Sequence, residues 1–134
     1  MQVFKNYPKK RGFTLIEILI VVAIIALLAS LILPNLMGRF EASKRKIAKA
    51  QIEMLSSAIE AFKLDTGRYP KDLKELLYSD DPNWEGPYLS KNKIPKDPWG
   101  REYQYKYPGE HAPYDLYSLG PNGKLDEKAI TNWE

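Results

Sequence analysis

The sequence contains no cysteine, and only one histidine, His111, in 134 residues. The first absence excludes disulfide staples and thiolate chemistry, so any small domain must be held together by other means. The second leaves little for a zinc site or a Cys-His nucleophile. Nothing resembles a Ser-His-Asp arrangement or a phosphate-cradling glycine loop, so no enzyme is expected. His111 stands in the turn Pro108-Gly-Glu-His-Ala-Pro113 and reads as a surface residue. Excess charge is also scarce. The net charge is +3, yet four cations, Lys5, Lys9, Lys10 and Arg11, precede Gly12 with no acid beside them. The remainder is near neutral, so the basic balance argues for no nucleic-acid partner.

A negative mean hydropathy hides two regimes. Phe13 to Leu33 is an apolar run of 21 residues, and the rest is polar. At ~1.5 Å per residue the run is about 31 Å long as a helix, matching a hydrocarbon core of roughly 30 Å. One charge, Glu17, lies inside it. A carboxylate there costs on the order of 2.5–3.5 kcal/mol, so it needs a partner or a purpose. The basic residues before the run hold the N-terminus in the cytoplasm and send the following domain outward. An ordinary secretory signal peptide fits poorly, because Leu27 or Leu28 would stand where the −3 position needs a small residue. A plain signal anchor explains charge and length, but neither Glu17 nor the Gly12-Phe13 junction.

Lys10-Arg-Gly12 followed by Phe13-Thr-Leu-Ile-Glu17 resembles the class III leader of the type IV pilin and pseudopilin family. The resemblance implies cleavage after Gly12 by a prepilin peptidase, and N-methylation of the new N-terminus, Phe13. The freed amine has a pKa of about 7.7–8.0 and is mostly protonated at neutral pH. It makes the Glu17 carboxylate tolerable, and Glu17 is expected to register an incoming subunit through its Phe13 amine. Pro34 closes the apolar run and marks a weak point in a long helix. In the family the equivalent proline lies where the helix kinks or melts in the filament.

The polar part leaves room for one small domain. Ala48, Ile52, Leu55, Ile59 and Phe62 recur at spacings of four, three, four and three, which predicts one buried helix stripe between about residues 35 and 63. Lys44, Arg45, Lys46 and Lys49 form a basic, solvated face. The helix is expected to stop near Asp65-Thr66-Gly67. Leu73, Leu76 and Leu77 suit a short second helix. Residues 79–100 are rich in Pro and Gly yet carry anchors at Trp84, Tyr88, Leu89, Ile94 and Trp99, which predicts an ordered loop. Tyr103–Tyr107 and Tyr114–Leu119 read as strands. Ile130 and Trp133 read as packing anchors. Gly67-Arg-Tyr-Pro70 resembles a "Gly-x-Tyr-Pro" turn of the major pseudopilin branch. Pro95-Lys-Asp-Pro-Trp-Gly100 is similar to the "Pro-x-Asp-Pro-Trp-Gly" signature of type II secretion major pseudopilins.

Ser118-Leu-Gly-Pro-Asn-Gly123 resembles the family's "Ser-x-Gly-Ala-Asp-Gly" stretch, which begins a calcium-binding loop. The resemblance implies calcium ligands at Leu119 (carbonyl), Asn122, Asp126 and Glu127. The loop departs from the pattern, with Asn122 in place of an aspartate and Lys128-Ala129 where aspartates are usual.

These readings give an α+β, pilin-like fold: a long N-terminal helix, half membrane and half packed, on a small antiparallel sheet. The expected parts are a cleaved leader at 1–12, a transmembrane and assembly helix at 13–34, and a periplasmic domain at 35–134. The implied function is a structural subunit of the periplasmic pseudopilus of a type II secretion system, anchored in the inner membrane before assembly. The filament would help export folded proteins across the outer membrane. Implied partners are further copies in a helical homopolymer, minor pseudopilins, the prepilin peptidase and an inner-membrane assembly platform. A surface pilus subunit for adhesion, twitching or DNA uptake, and a membrane-anchored binding module, remain the alternatives.

Overall fold

The computed structural model of the chain describes residues 12–134. The leader cations Lys5, Lys9, Lys10 and Arg11 lie outside that range. The chain divides into two compact units, one ending at Arg39 and one running from Phe40 to Glu134. Helix α1, Leu15–Thr66, contributes to both. Its N-terminal part is long and apolar enough to cross a membrane, and none of that apolar window is buried. The helix is continuous through Pro34. Proline there removes only the hydrogen bond to the carbonyl four residues back, that of Ser30.

In the second unit α1 buries Ala48, Ile52, Leu55, Ala58, Ile59 and Phe62. All five residues of the predicted stripe are among them. Leu55, Ile59 and Phe62 are 0% exposed, and each such burial contributes about 1.5–3 kcal/mol. The stripe forms one core with Leu73, Leu76, Leu89, Tyr103, Tyr114, Leu116 and Ile130. Trp84, Tyr88, Ile94 and Trp99 pack against it, so the expected anchors do order the Pro-rich loop. Gly67 ends the helix, its N–H bonding the Lys63 carbonyl at 2.7 Å.

The expected second helix is only a 3-10 turn, Leu73–Leu76, capped by Asp72, whose Oδ1 accepts from the Glu75 N–H at 3.2 Å. The loop beyond it takes the carbonyls that a longer helix would need. Trp84 Nε1 donates to the Glu75 carbonyl at 2.7 Å, and the Tyr88 N–H donates to the Leu76 carbonyl at 2.8 Å. Glu75 also ties the chain together through its side chain. It accepts from Arg68 Nη2 at 2.8 Å, the Lys71 N–H at 2.7 Å and Ser79 Oγ at 2.9 Å. Arg68 Nε reaches Asp81 at 3.2 Å.

The sheet is antiparallel, in the order β1 (Gln104–Lys106), β2 (Asp115–Ser118), β3 (Ile130–Thr131). Gln104 faces Tyr117 across the first pair, and Ser118 faces Ile130 across the second. The two predicted strands are present but shorter, and β3 adds a pairing around Ile130. Trp133 stacks on His111 with ring centroids 4.2 Å apart. His111 is exposed as expected, with Nδ1 3.0 Å from buried Asp115.

The Asp97-Pro-Trp-Gly100 signature is a tight hairpin loop between the bridged residues Lys96 and Glu102. Pro98 presets φ for the turn, and Gly100 takes φ +82°, where a side chain would strain the backbone. Asp97 is 4% exposed, and its carboxylate is fully used. Oδ1 accepts from the Trp99 N–H at 3.1 Å and the Arg101 N–H at 2.8 Å. Oδ2 accepts from buried Ser118 Oγ at 2.7 Å. The hairpin is thereby bonded to the end of β2.

Two outcomes follow from these networks. Asp97→Ala strands three donors at about 1–3 kcal/mol apiece, and the domain should lose roughly 10 °C or more in Tm. A thermal melt showing no change would contradict the network. The Arg68 guanidinium, with the Lys71 N–H and Ser79, holds the Glu75 carboxyl at about 2 against an ordinary 4.5. A depressed carboxylate stabilises above its unfolded pKa and loses that stabilisation as the pH falls. Tm should therefore decline between about pH 5 and pH 2, and Glu75→Gln should flatten that decline.

Candidate functional site

Two regions carry the residues singled out in the sequence. The first is the start of α1. Gly12 and Phe13 precede the helix, and Phe13 is 79% exposed. Among the described residues, a Cβ added at Gly12 would meet nothing within 4 Å, so none of them requires glycine there. Thr14 caps the helix, its Oγ1 accepting from the Glu17 N–H at 3.2 Å. That cap was legible as the Thr14-x-x-Glu17 pattern, but Glu17 reads first as a charge within an apolar run. The Glu17 side chain is exposed in the first turn, where a carboxylate also complements the helix dipole. Pro34 lies on the same helix, well beyond this end.

The second region is the loop from Ser118 to Ala129. It follows directly on β2, and Ser118 ties it to Asp97. The Gly120 N–H donates to Ser118 Oγ at 3.1 Å. Arg101, which ends the signature hairpin, reaches across. Its Nη1 donates to the Gly120 carbonyl at 2.8 Å. Its guanidinium lies flat against Gly123, where an added Cβ would fall 2.9 Å from Nη2 and 3.0 Å from Cζ. At the far end of the loop, Arg45 Nη1 of α1 donates to the Lys128 carbonyl at 2.8 Å.

Leu119, Asn122, Asp126 and Glu127 all fall in this loop, and the fold brings Asn122 and Asp126 into contact. Their bond runs within the loop: Asn122 Nδ2 donates to Asp126 Oδ2 at 2.8 Å. The Lys128 N–H takes Asp126 Oδ1 at 2.9 Å. These two donors hold the Asp126 carboxyl below its usual range. Among the described residues no group of three or more His, Asp or Glu side chains is placed to hold a metal. Calcium takes six to eight oxygens, with charge to match. This loop offers two carboxylates, Asp126 and Glu127, against Lys124 and Lys128, with two arginines bound to its carbonyls. As it stands, the donor set does not fit a calcium ion. Arg101, whose guanidinium covers Gly123, gives no ligand signal in the sequence, because it is a cation.

Comparison with known proteins bears on both regions. Residues 7–33 match the prokaryotic N-terminal methylation motif, and residues 35–133 match the family described as type II secretion system protein G. The chain is 43% identical to the type II secretion system core protein G of Escherichia coli K12, covering 93% of this chain and 92% of that one. It is 38% identical to the core protein G of Vibrio cholerae, covering 96% and 95%. The solved major pseudopilin of the type 2 secretion system of enterohaemorrhagic Escherichia coli superposes with a TM-score of 0.63 at 32% identity, covering 75% of this chain and 95% of that one. The methylation motif and the apolar helix fit a membrane-anchored pseudopilin. With its leader motif, its long helix and its small sheet all accounted for, the chain belongs to the protein G family of the type II secretion system.

Proposed function

We propose that this chain is the repeating subunit of a periplasmic pseudopilus that drives export of folded proteins across the outer membrane. The observation that carries this reading is the contrast within α1. Its second half is pinned to a core by Ala48–Phe62, whereas the apolar window of its first half has no burial within the chain. Before assembly, lipid covers that surface; in a filament, neighbouring helices do. Residues 1–12 form the leader, held in the cytoplasm. Residues 13–34 form the membrane and assembly segment, and residues 35–134 lie in the periplasm. A prepilin peptidase cuts after Gly12, and Phe13 is then methylated. The Gly12 requirement belongs to that peptidase, since no described residue stands within 4 Å of a Cβ added there. An inner-membrane platform and minor pseudopilins complete the assembly. The work is mechanical and the energy comes from outside, so the chain needs no catalytic residue.

Glu17 supplies the register. Its carboxylate meets the Phe13 ammonium of an incoming subunit in an environment where either charge alone is costly. The contact joins two different surfaces, so it repeats into an open fibre. The Thr14 cap separates this role from simple helix formation, because the cap uses the Glu17 backbone N–H and not its side chain. Glu17→Ala should therefore be cleaved normally yet fail to polymerise, as read by cross-linking and filament recovery. Thr14→Ala, which frays the first turn by about 1 kcal/mol, should retain assembly. Intact filaments from Glu17→Ala would remove the registry role.

A further inference from the structure

The loop that the family resemblance marks for calcium is already fastened at both ends by cations of the chain itself. Arg101 holds the Gly120 carbonyl, and its guanidinium plane covers Gly123. Arg45 holds the Lys128 carbonyl. Gly120 and Lys128 come together where the loop closes: a Cβ at Gly120 would stand 2.6 Å from the Lys128 carbonyl oxygen. Backbone carbonyls at a loop neck are what a hard cation would use. A guanidinium satisfies the same lone pairs with directed N–H donors, remains charged at any working pH, and is less strongly hydrated than an ammonium. Arg101 is also held from behind, because its own N–H donates to Asp97 Oδ1 and its carbonyl accepts from the Asp97 N–H at 2.8 Å. The side chain thus starts from a rigid hairpin. Among the described residues, a divalent cation entering this loop would meet Arg101, Arg45, Lys124 and Lys128 against Asp126, Glu127 and, beside Arg45 on α1, Glu41.

We propose that Arg101 and Arg45 close the Ser118–Ala129 loop through its backbone carbonyls, so that the domain holds this loop without a divalent cation. The same residues explain the loop's departures from the acidic pattern. Asn122 serves as a donor to Asp126 rather than as a charged ligand, and Lys128 supplies both the N–H that Asp126 needs and the carbonyl that Arg45 takes.

The test uses the full chain in detergent, with millimolar calcium chloride or with a calcium chelator. Thermal unfolding of the wild type should give the same Tm in both. A saturable calcium-dependent rise of several degrees would overturn the proposal, since a ligand bound only by the native state must raise Tm. Arg101→Gln should lower Tm by roughly 4–8 °C, and calcium should not restore it. Hydrogen exchange should locate the loss: amides of residues 119–129 should exchange faster in Arg101→Gln while those of Ile52–Phe62 stay protected. Unchanged Tm and exchange in that variant would also overturn the proposal. If Arg101→Gln does not fold, Arg45→Gln gives the same reading from the other end of the loop.

Discussion

Everything in this chain depends on one helix having to satisfy two surroundings. From Ala48 to Phe62 its buried residues, Ala58 apart, follow a four-three alternation, so only one side of the helix is committed to the core. From Leu15 to Leu33 every residue but Glu17 and Ser30 is apolar, on all sides of the helix, and Leu15, Ile25 and Leu31 are each more than half exposed. Such a surface has no stable place in water. It requires lipid or other copies of itself, and a chain that leaves the first must find the second. The unit from Phe40 to Glu134 holds the C-terminal half of the helix in its own core.

The unit from Phe40 to Glu134 is small and lacks disulfides, and it uses buried polar bonds in place of cross-links. Asp97 and Ser118 join the signature hairpin to β2, and Arg68 and Glu75 tie the end of α1 to the 3-10 turn. Tyr105 Oη donates to the Pro70 carbonyl at 2.6 Å, and Tyr103 donates to Gln51 on α1. Burial pushes both phenols well above their ordinary range, so each remains a proton donor throughout the neutral region. The Asp97–Ser118, Tyr105–Pro70 and Tyr103–Gln51 bonds span 21, 35 and 52 residues, and each closes a loop whose entropy the core alone would have to offset. The arginines at the Ser118–Ala129 loop extend the same device to the most irregular part of the chain.

Periodicity made α1 and its buried stripe readable, because burial on one side leaves a four-three spacing. Alternation marked β1 and β2, and breakers with aromatic anchors marked the ordered loop. What stayed hidden was set by partners distant in sequence. β3 is two residues long, too short to alternate, and exists because Ser118 and Tyr117 pair with it. The second helix stopped early because Trp84 and Tyr88 captured its carbonyls. Gly12, Phe13 and Glu17 are legible as a motif, and that motif masks the Thr14 cap because one residue, Glu17, serves two patterns. The Arg101 side chain offers no oxygen, and its place at the loop depends on the Asp97 hairpin that aims it, a contact distant in sequence from Gly120.

As a processed subunit, this chain enters an assembly through its freed N-terminus. The measurement that tests this most directly is the intact mass of the chain purified from its own membranes. The account predicts a mass lacking Met1–Gly12 and carrying one added methyl group. A full-length mass would contradict it and leave a permanently anchored outer domain whose role must be sought in binding.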